Sequence, residues 1–257
     1  MKVWVLFGVV LLSIAQVAYA KAPVDEYPLT EDSVAQANVK PGKLQGPFEL
    51  RSDIFPNTVR RYWIYVPANY NSKKPPNLLV FQDGQRAIST QGSLHIPTVL
   101  DNLIQRGDIP ATLAIFVTPG NLSAHYPDDL GLQNPNNRMA EYDALDDRYS
   151  RMLIDELLPA VAKHYSFSYD PRRRIIGGSS SGAICAFTVA WHRSDVFRNV
   201  ISMIGSYTSI GYQKAAEHKP MQPGGDLYPT LIRKNPIRPL RIFLQDGSND
   251  INNEHGN

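Results

Sequence analysis

The sequence predicts an α/β chain with a mostly parallel central sheet, helices on both faces and antiparallel strands at its start. Three observations predict it. Short apolar runs at 77–82, 113–118, 174–177, 199–204 and 240–244 have the length and bounding turns of buried strands. Segments with helical periodicity separate several of them, and strand–helix alternation is the mark of a parallel sheet. Two earlier runs, 48–50 and 58–67, come before any helical segment and read as an antiparallel pair.

The first twenty residues read as a targeting segment. Lys2 supplies the positive start, residues 3–14 the apolar stretch and Ala18-Tyr19-Ala20 a small-residue cleavage site. The apolar stretch falls short of the roughly 20 residues a spanning helix needs. The mature chain is therefore expected to begin near Lys21, to be exported to the periplasm or beyond, and to make no stable membrane insertion. An uncleaved anchor is the rival reading. Residues 21–40 form an extended leader, and 41–257 form one domain.

Within that domain, Val59, Tyr62, Ile64 and Val66 are the apolar positions of the second strand. Residues 68–76 are a turn rich in Asn, Lys and Pro. The strand at 77–82 stops at Asp83-Gly84. Residues 96–106 are helical, with Val99, Leu100, Leu103 and Ile104 on one face. Pro119-Gly120 ends the strand at 113–118. The polar loop 121–138 is long for a compact domain, which makes it a candidate wall of a site. Leu145, Tyr149, Leu153, Leu157 and Val161 recur every four residues and predict a helix over 142–165.

Composition excludes several functions. Twenty-six basic against 24 acidic residues give a net charge of +2, which offers no electrostatic basis for binding nucleic acid. The dense basic run Arg172-Arg173-Arg174 reads as a solvated approach to a strand. Cys185 is the sole cysteine, so no intramolecular disulfide forms, and a small buried hydrophobe is its expected role. No zinc-type Cys/His spacing, G-x-G-x-x-G or Walker pattern is present, so neither metal nor cofactor is implied.

Chemistry concentrates at Gly178-Ser179-Ser180-Ser181-Gly182. A G-x-S-x-G pattern arises by chance in roughly one chain in ten of this length, so the flanking segments decide its meaning. A strand precedes it and an apolar helical segment, 184–191, follows at once. That is the strand–turn–helix setting of a nucleophile elbow, with Ser180 at the tip as the candidate nucleophile. The backbone N–H of Ser181 is then one oxyanion donor. The turn after the strand at 77–82 is the usual source of the second, which points to the Gln85 N–H with Gly84 in reserve. Asp83 reads as a tight-turn former.

A serine hydroxyl needs a histidine base, and the base needs an acid to orient it. Asp246 and Asp250 follow the last strand, where the acid is expected, although both also suit a turn. His95, His125 and His164 precede the serine, His192 closes the elbow helix and His218 sits in a polar connection. His255 alone follows the acids, five residues after Asp250. The expectation is that the sequence is truncated at its C-terminus, with a final strand and helix missing and the base beyond Asn257.

These pieces resemble the esterase family of α/β-hydrolases that includes enterochelin, feruloyl and acetylxylan esterases, esterase D and mycolyltransferases. The resemblance is carried by residues 79–84, 143–159, 169–182 and 243–250. It implies that Ser180 is the nucleophile and that Asp250 fits the acid better than Asp246. Ala183 stands where many members have a third glycine, and no segment matches the family's histidine loop. The activity implied is hydrolysis of feruloyl or acetyl esters on polysaccharide, or of siderophore esters, through an acyl-enzyme. A non-catalytic carbohydrate- or ligand-binding module and an acyltransferase with a sugar acceptor are the alternatives. Tyr126, Tyr142 and Tyr207 are candidate aromatic walls, with ordinary packing as the competing role.

Overall fold

The computed structural model describes residues 28–205, 207, 215–217, 220 and 227–247. Among these described residues, eight strands form one sheet: β1 (Lys43–Arg51), β2 (Thr58–Val66), β3 (Asn77–Gln82), β4 (Thr112–Val117), β5 (Asn121–Leu122), β6 (Arg174–Ser179), β7 (Asn199–Met203) and β8 (Arg241–Gln245). Their order is β1-β2-β4-β3-β6-β7-β8, with β5 paired to β2 outside that path. The β1–β2 and β2–β4 pairs are antiparallel, and every pair from β4 to β8 is parallel. The predicted class holds, including the antiparallel start.

Strand alternation explains the two layers. In β3, Leu78 and Val80 face one side and Leu79 and Phe81 the other; in β4, Leu113, Ile115 and Val117 alternate with Ala114 and Phe116. All of these side chains are buried, so both faces are covered and the strands read as unbroken apolar runs. One layer packs against α2 (Ile96–Arg106) through Leu100 and Ile104. The other packs against α4 (Arg148–Arg151), a π-helical stretch Met152–Leu157, α5 (Leu158–Ala162) and α6 (Ser181–His192). Helix α6 is buried from Ser181 through Trp191, so its sequence is apolar on every face.

Several predictions of detail change. The expected helix over 142–165 starts later, because Leu145 has φ +59 and sits in a turn before α4. The leader is not simply extended. It makes a 3-10 turn at Glu31–Ser33, where Asn102 Nδ2 donates to the Asp32 and Val34 carbonyls, each at 2.9 Å. Arg174 is not solvated. It is 5% exposed, with its guanidinium over the Phe167 and Tyr169 rings and its Nε–H donating to the Ser168 carbonyl. Two further short helices are α1 (Gly84–Ala87) and α3 (Arg138–Tyr142), and α7 (Leu227–Lys234) packs Tyr228 on Phe187. The targeting segment and the leader before residue 28 lie outside the described residues.

The long loop is held from inside. Glu141 on α3 is fully buried with Arg60 of β2, and Arg60 Nη1 donates to its Oε2 at 2.9 Å. Arg60 Nη2 and Asn137 Nδ2 donate to Oε1, and the Gly120 N–H donates to Oε2. A buried ion pair survives desolvation only when its remaining hydrogen-bonding positions are filled, and here the carboxylate's are. Glu141→Ala is therefore expected to cost about 3–5 kcal/mol, because it strands the Arg60 charge. The double variant Arg60→Met/Glu141→Leu should recover much of that loss. Urea unfolding of the two variants beside the parent checks it, and equal losses would show that packing, not charge, holds the loop.

Candidate active site

Strand β6 carries the chain into the sheet's C-terminal edge, and helix α6 carries it straight back. The reversal happens at one residue. Ser180 has φ +56 and ψ −127, a region that side-chain-bearing residues rarely occupy and that costs on the order of 1–3 kcal/mol. Its N–H donates to the Met203 carbonyl of β7 at 3.0 Å, and its carbonyl accepts from the Ala183 N–H at 2.9 Å. The strained conformation is thus fixed on both sides. A Cβ at Gly178 would run into the carbonyl of Gly182, which is why that position has no side chain. Ser181 opens α6, and the first N–H groups of a helix have no intrahelical acceptor. The Ser181 side chain itself is buried.

The second turn lies alongside. Ser180 and Ser179 line a cavity of about 420 Å³ together with Phe81, Gln82, Asp83 and Arg86. Asp83 has φ +52 and its N–H donates to Tyr142 Oη at 3.2 Å. Its carboxylate is gripped by Arg138, with Nε donating to Oδ1 at 2.9 Å and Nη2 to Oδ2 at 2.8 Å. Burial works against the Arg138 cation, but its hydrogen bonds to Asp83 and the Asp83 charge prevail and hold its pKa above the ordinary range. Asp83 is therefore both a turn former and half of a bidentate ion pair. Gly84 follows where a Cβ would lie 2.5 Å from the Phe116 carbonyl carbon. Gln85 sits in the first turn of α1, so its N–H is also one that helix geometry leaves without an acceptor.

Support comes from beneath. Tyr149 Oη donates to Gln82 Oε1 at 2.5 Å, and Tyr142 meets the Tyr149 ring edge-on at 5.3 Å between centroids. Burial pushes both phenols well above their ordinary pKa. Cys185 is buried and its thiol is likewise pushed up by desolvation, which fits the expected inert hydrophobe. Tyr142 and Tyr126 are buried, and the Tyr207 hydroxyl donates to Ser202 Oγ at 2.7 Å.

Register places the last strand on the same edge. Ser179 pairs with Met203, and Met203 with Gln245. Asp246 follows Gln245 two strands from the elbow, exposed, with the Gly247 N–H donating to its carboxylate at 2.8 Å. Asp250, His218 and His255 lie outside the described residues. Among the described residues, no histidine lines the cavity at Ser180. His192 is exposed, with Nε2 3.3 Å from the Leu145 carbonyl. No cluster of three or more metal-ligating side chains occurs among the described residues. No helix among them is long and apolar enough to cross a membrane.

Sequence reading missed Arg138 and Glu141 as site builders, and named Tyr142 only as a candidate aromatic wall, not as the acceptor of the Asp83 N–H. Their i, i+3, i+4 spacing was the available signal, because it puts all three on one side of a short helix.

A mostly parallel sheet of this order, with a serine at positive φ between strand and helix, defines an α/β-hydrolase. Residues 55–255 match the model of the family described as Putative esterase, and the chain belongs to that family. The structure is similar to that of an enterochelin esterase from Shigella flexneri, with 23% identity, a TM-score of 0.64 and coverage of 87% of this chain and 50% of that one. It is also similar to the Shigella flexneri enterobactin esterase solved in the presence of 2,3-dihydroxy-N-benzoyl-serine. There the identity is 24%, the TM-score 0.62 and the coverage 86% and 50%. A ferulic acid esterase from the anaerobic fungus Anaeromyces mucronatus gives 15% identity, a TM-score of 0.58 and coverage of 85% and 87%. The chain thus spans about half the length of the chain in each of the two Shigella structures. No curated protein matches the chain.

One titration belongs to the site. Asp143, directly after α3, has Oδ1 buried without a partner. Burial raises its pKa, and the Ser181 hydroxyl and the Arg138 charge offset this only in part. A raised folded pKa means that the native state holds the proton more tightly than the unfolded chain. Stability from this group is present below the unfolded value of 3.8 and is lost as pH rises through the folded value. Asp143→Asn should remove that decline, so its unfolding free energy should fall less than the parent's between pH 4 and 7. Parallel slopes in urea titrations would refute the assignment.

Proposed function

We propose that the protein is an exported serine carboxylic-ester hydrolase acting through an acyl-enzyme. The observation that carries this reading is the conformation of Ser180. A serine held at φ +56 between β6 and α6, beside a 420 Å³ cavity, is presented to a substrate rather than packed away. In the proposed reaction Ser180 Oγ attacks the ester carbonyl carbon and its proton passes to a histidine base supplied from outside the described residues. The carbonyl oxygen becomes an oxyanion held by the Ser181 and Gln85 N–H groups. The carbon–oxygen bond to the alcohol breaks as the base returns the proton to that oxygen. Water then cleaves the acyl-enzyme by the same route, releasing the acid. Asp250 is assigned as the acid that orients the base. Membership of the esterase family supports this chemistry. Feruloyl or acetyl esters on polysaccharide and siderophore esters are the proposed substrates; structural neighbours named enterochelin esterase and ferulic acid esterase support the siderophore and feruloyl classes. The positively charged start and cleavage-like Ala18-Tyr19-Ala20 support export.

Two expected outcomes follow from the roles. Ser180→Ala should lower p-nitrophenyl acetate turnover by about three orders of magnitude or more and abolish labelling by a fluorophosphonate. Ser181→Ala should cost far less, since its part is a backbone N–H. Retained labelling in Ser180→Ala would place the nucleophile elsewhere. Separately, Asp250→Asn should reduce kcat much more than Asp246→Asn while both variants unfold as the parent does. The reverse order would move the acid to Asp246.

A further inference from the structure

The opposite edge of the sheet carries a groove that the ester chemistry leaves unused. Arg174 opens β6 and Ser180 follows its end, so a strand's rise of roughly 3.3 Å per residue sets the two about 20 Å apart. The groove at Arg174 encloses about 520 Å³, within the range of ligand pockets, roughly 300–1,000 Å³. Its wall has two kinds of side chain. Ile154, Leu158, Pro159 and Ala162, from the π-helical stretch and α5, form an aliphatic side. Lys163 and Arg174 supply two cations, and among the described residues no carboxylate lines the groove. The acids on the neighbouring segments are engaged elsewhere. Glu156 accepts from the Asp53 and Ile54 N–H groups, Asp170 is paired with Arg172, and Asp155 acts electrostatically on Arg193.

Arg174 is the informative residue. It is 5% exposed, and a buried cation ordinarily has a counter-charge, yet among the described residues none pairs with it. Burial pulls its pKa down, and no carboxylate offsets this. Its Nε–H is spent on the Ser168 carbonyl at 2.7 Å. Nη1 and Nη2 donate to no described residue, and neither is fully enclosed, so both keep surface on the groove that Arg174 lines. Two parallel N–H groups at the end of a guanidinium fit the two oxygens of a carboxylate. The body of the ligand is limited as well. The guanidinium already covers the Phe167 and Tyr169 rings, at 5.5 and 4.9 Å from their centroids, which leaves the aliphatic side as the apolar surface on offer. We infer that the groove at Arg174 and Lys163 binds a free aliphatic carboxylate, its head on the two Nη groups and its chain along Ile154, Leu158 and Ala162. The ligand enters as a single molecule, because Arg174 is set too deep for a bilayer surface to reach. The site stands apart from Ser180 and does not depend on which ester the chain cleaves.

Calorimetric titration of decanoate, kept below its micelle concentration, into the full-length chain tests the site. Decanoate should bind. Decanol keeps the chain and loses the charge, and should bind about tenfold more weakly or worse, as hydrogen bonds to a charged group imply. Arg174→Lys keeps a cation but not the fork, and should weaken decanoate about tenfold. Replacing a buried arginine can unfold a protein, so two exposed positions carry the test independently. Lys163→Gln should weaken binding several-fold. Ala162→Phe fills the groove from α5 and should abolish binding, while its urea midpoint and its p-nitrophenyl acetate turnover stay those of the parent. Undiminished decanoate binding in both Lys163→Gln and Ala162→Phe would overturn the site, because the ligand would then sit elsewhere, the Ser180 cavity included. Equal affinity for decanoate and decanol would overturn it too, as would absence of heat with decanoate. Capture of the chain by phosphatidylglycerol vesicles without binding of free decanoate would likewise overturn it and make the groove a lipid-surface contact.

Discussion

The Arg60–Glu141 pair is the contact on which the site's geometry rests. Glu141 fixes α3 against the sheet, and α3 then delivers two further residues. Arg138 grips Asp83 from one end of the helix, and Tyr142 receives the Asp83 N–H from the other. Asp83 begins the turn whose next residues are Gly84 and Gln85. A fully buried charge pair thus determines, through one short helix, where the second half of the candidate oxyanion site lies. Low dielectric makes the arrangement stiff: each partner removed would leave a buried charge or an unpaired donor.

The elbow depends on a different constraint. Ser180 occupies a conformation that costs energy, and the fold supplies compensation locally. Met203 accepts its N–H, α6 begins immediately, and the missing side chain at Gly178 lets the Gly182 carbonyl come close. Helix α6 is buried along nearly its whole length, so the turn cannot relax by moving the helix away. Strain held by a close-packed core is a common property of functional sites. The same packing explains why Cys185, one turn into α6, behaves as a hydrophobe.

Two cavities adjoin at Ser89 and Leu132. One surrounds Ser180 and is bounded by the elbow, the 82–83 turn and Leu94. The other faces the aromatic side of β2, where Arg61 and Trp63 alternate with Tyr62 and Ile64 of the core. Gln85 lines this second cavity. At the far end of the sheet β8 is exposed throughout, with Phe243 and Leu244 60% and 63% accessible, so that edge differs from the two-sided burial at β3 and β4.

Local order was legible in the residues themselves. The strand at 77–82 and the helix at 96–106 have the bounds the sequence predicts, because unbroken apolar runs and a one-faced helical pattern have few other uses. The elbow was equally readable, since the strand, the Gly-x-Ser-x-Gly turn and the apolar helix follow one another directly, whereas what closes on Gly182, namely Gln82 and Asp83, was not. What the sequence could not reveal was pairing across distance. Arg60 and Glu141 are 81 residues apart, and Asp83 and Arg138 are 55 apart. Each looks like an ordinary surface charge until the sheet brings them together. Leu145 fits the periodic pattern yet lies in a turn, since the turn into α4 overrides its propensity. The sequence by itself determined the individual strands, the elbow and the identity of the candidate serine, all legible as patterns within short stretches. Only the tertiary structure decided which charges are buried, how the 83–85 turn is held and where a second cavity opens, because those depend on burial and on partners that folding alone makes neighbours.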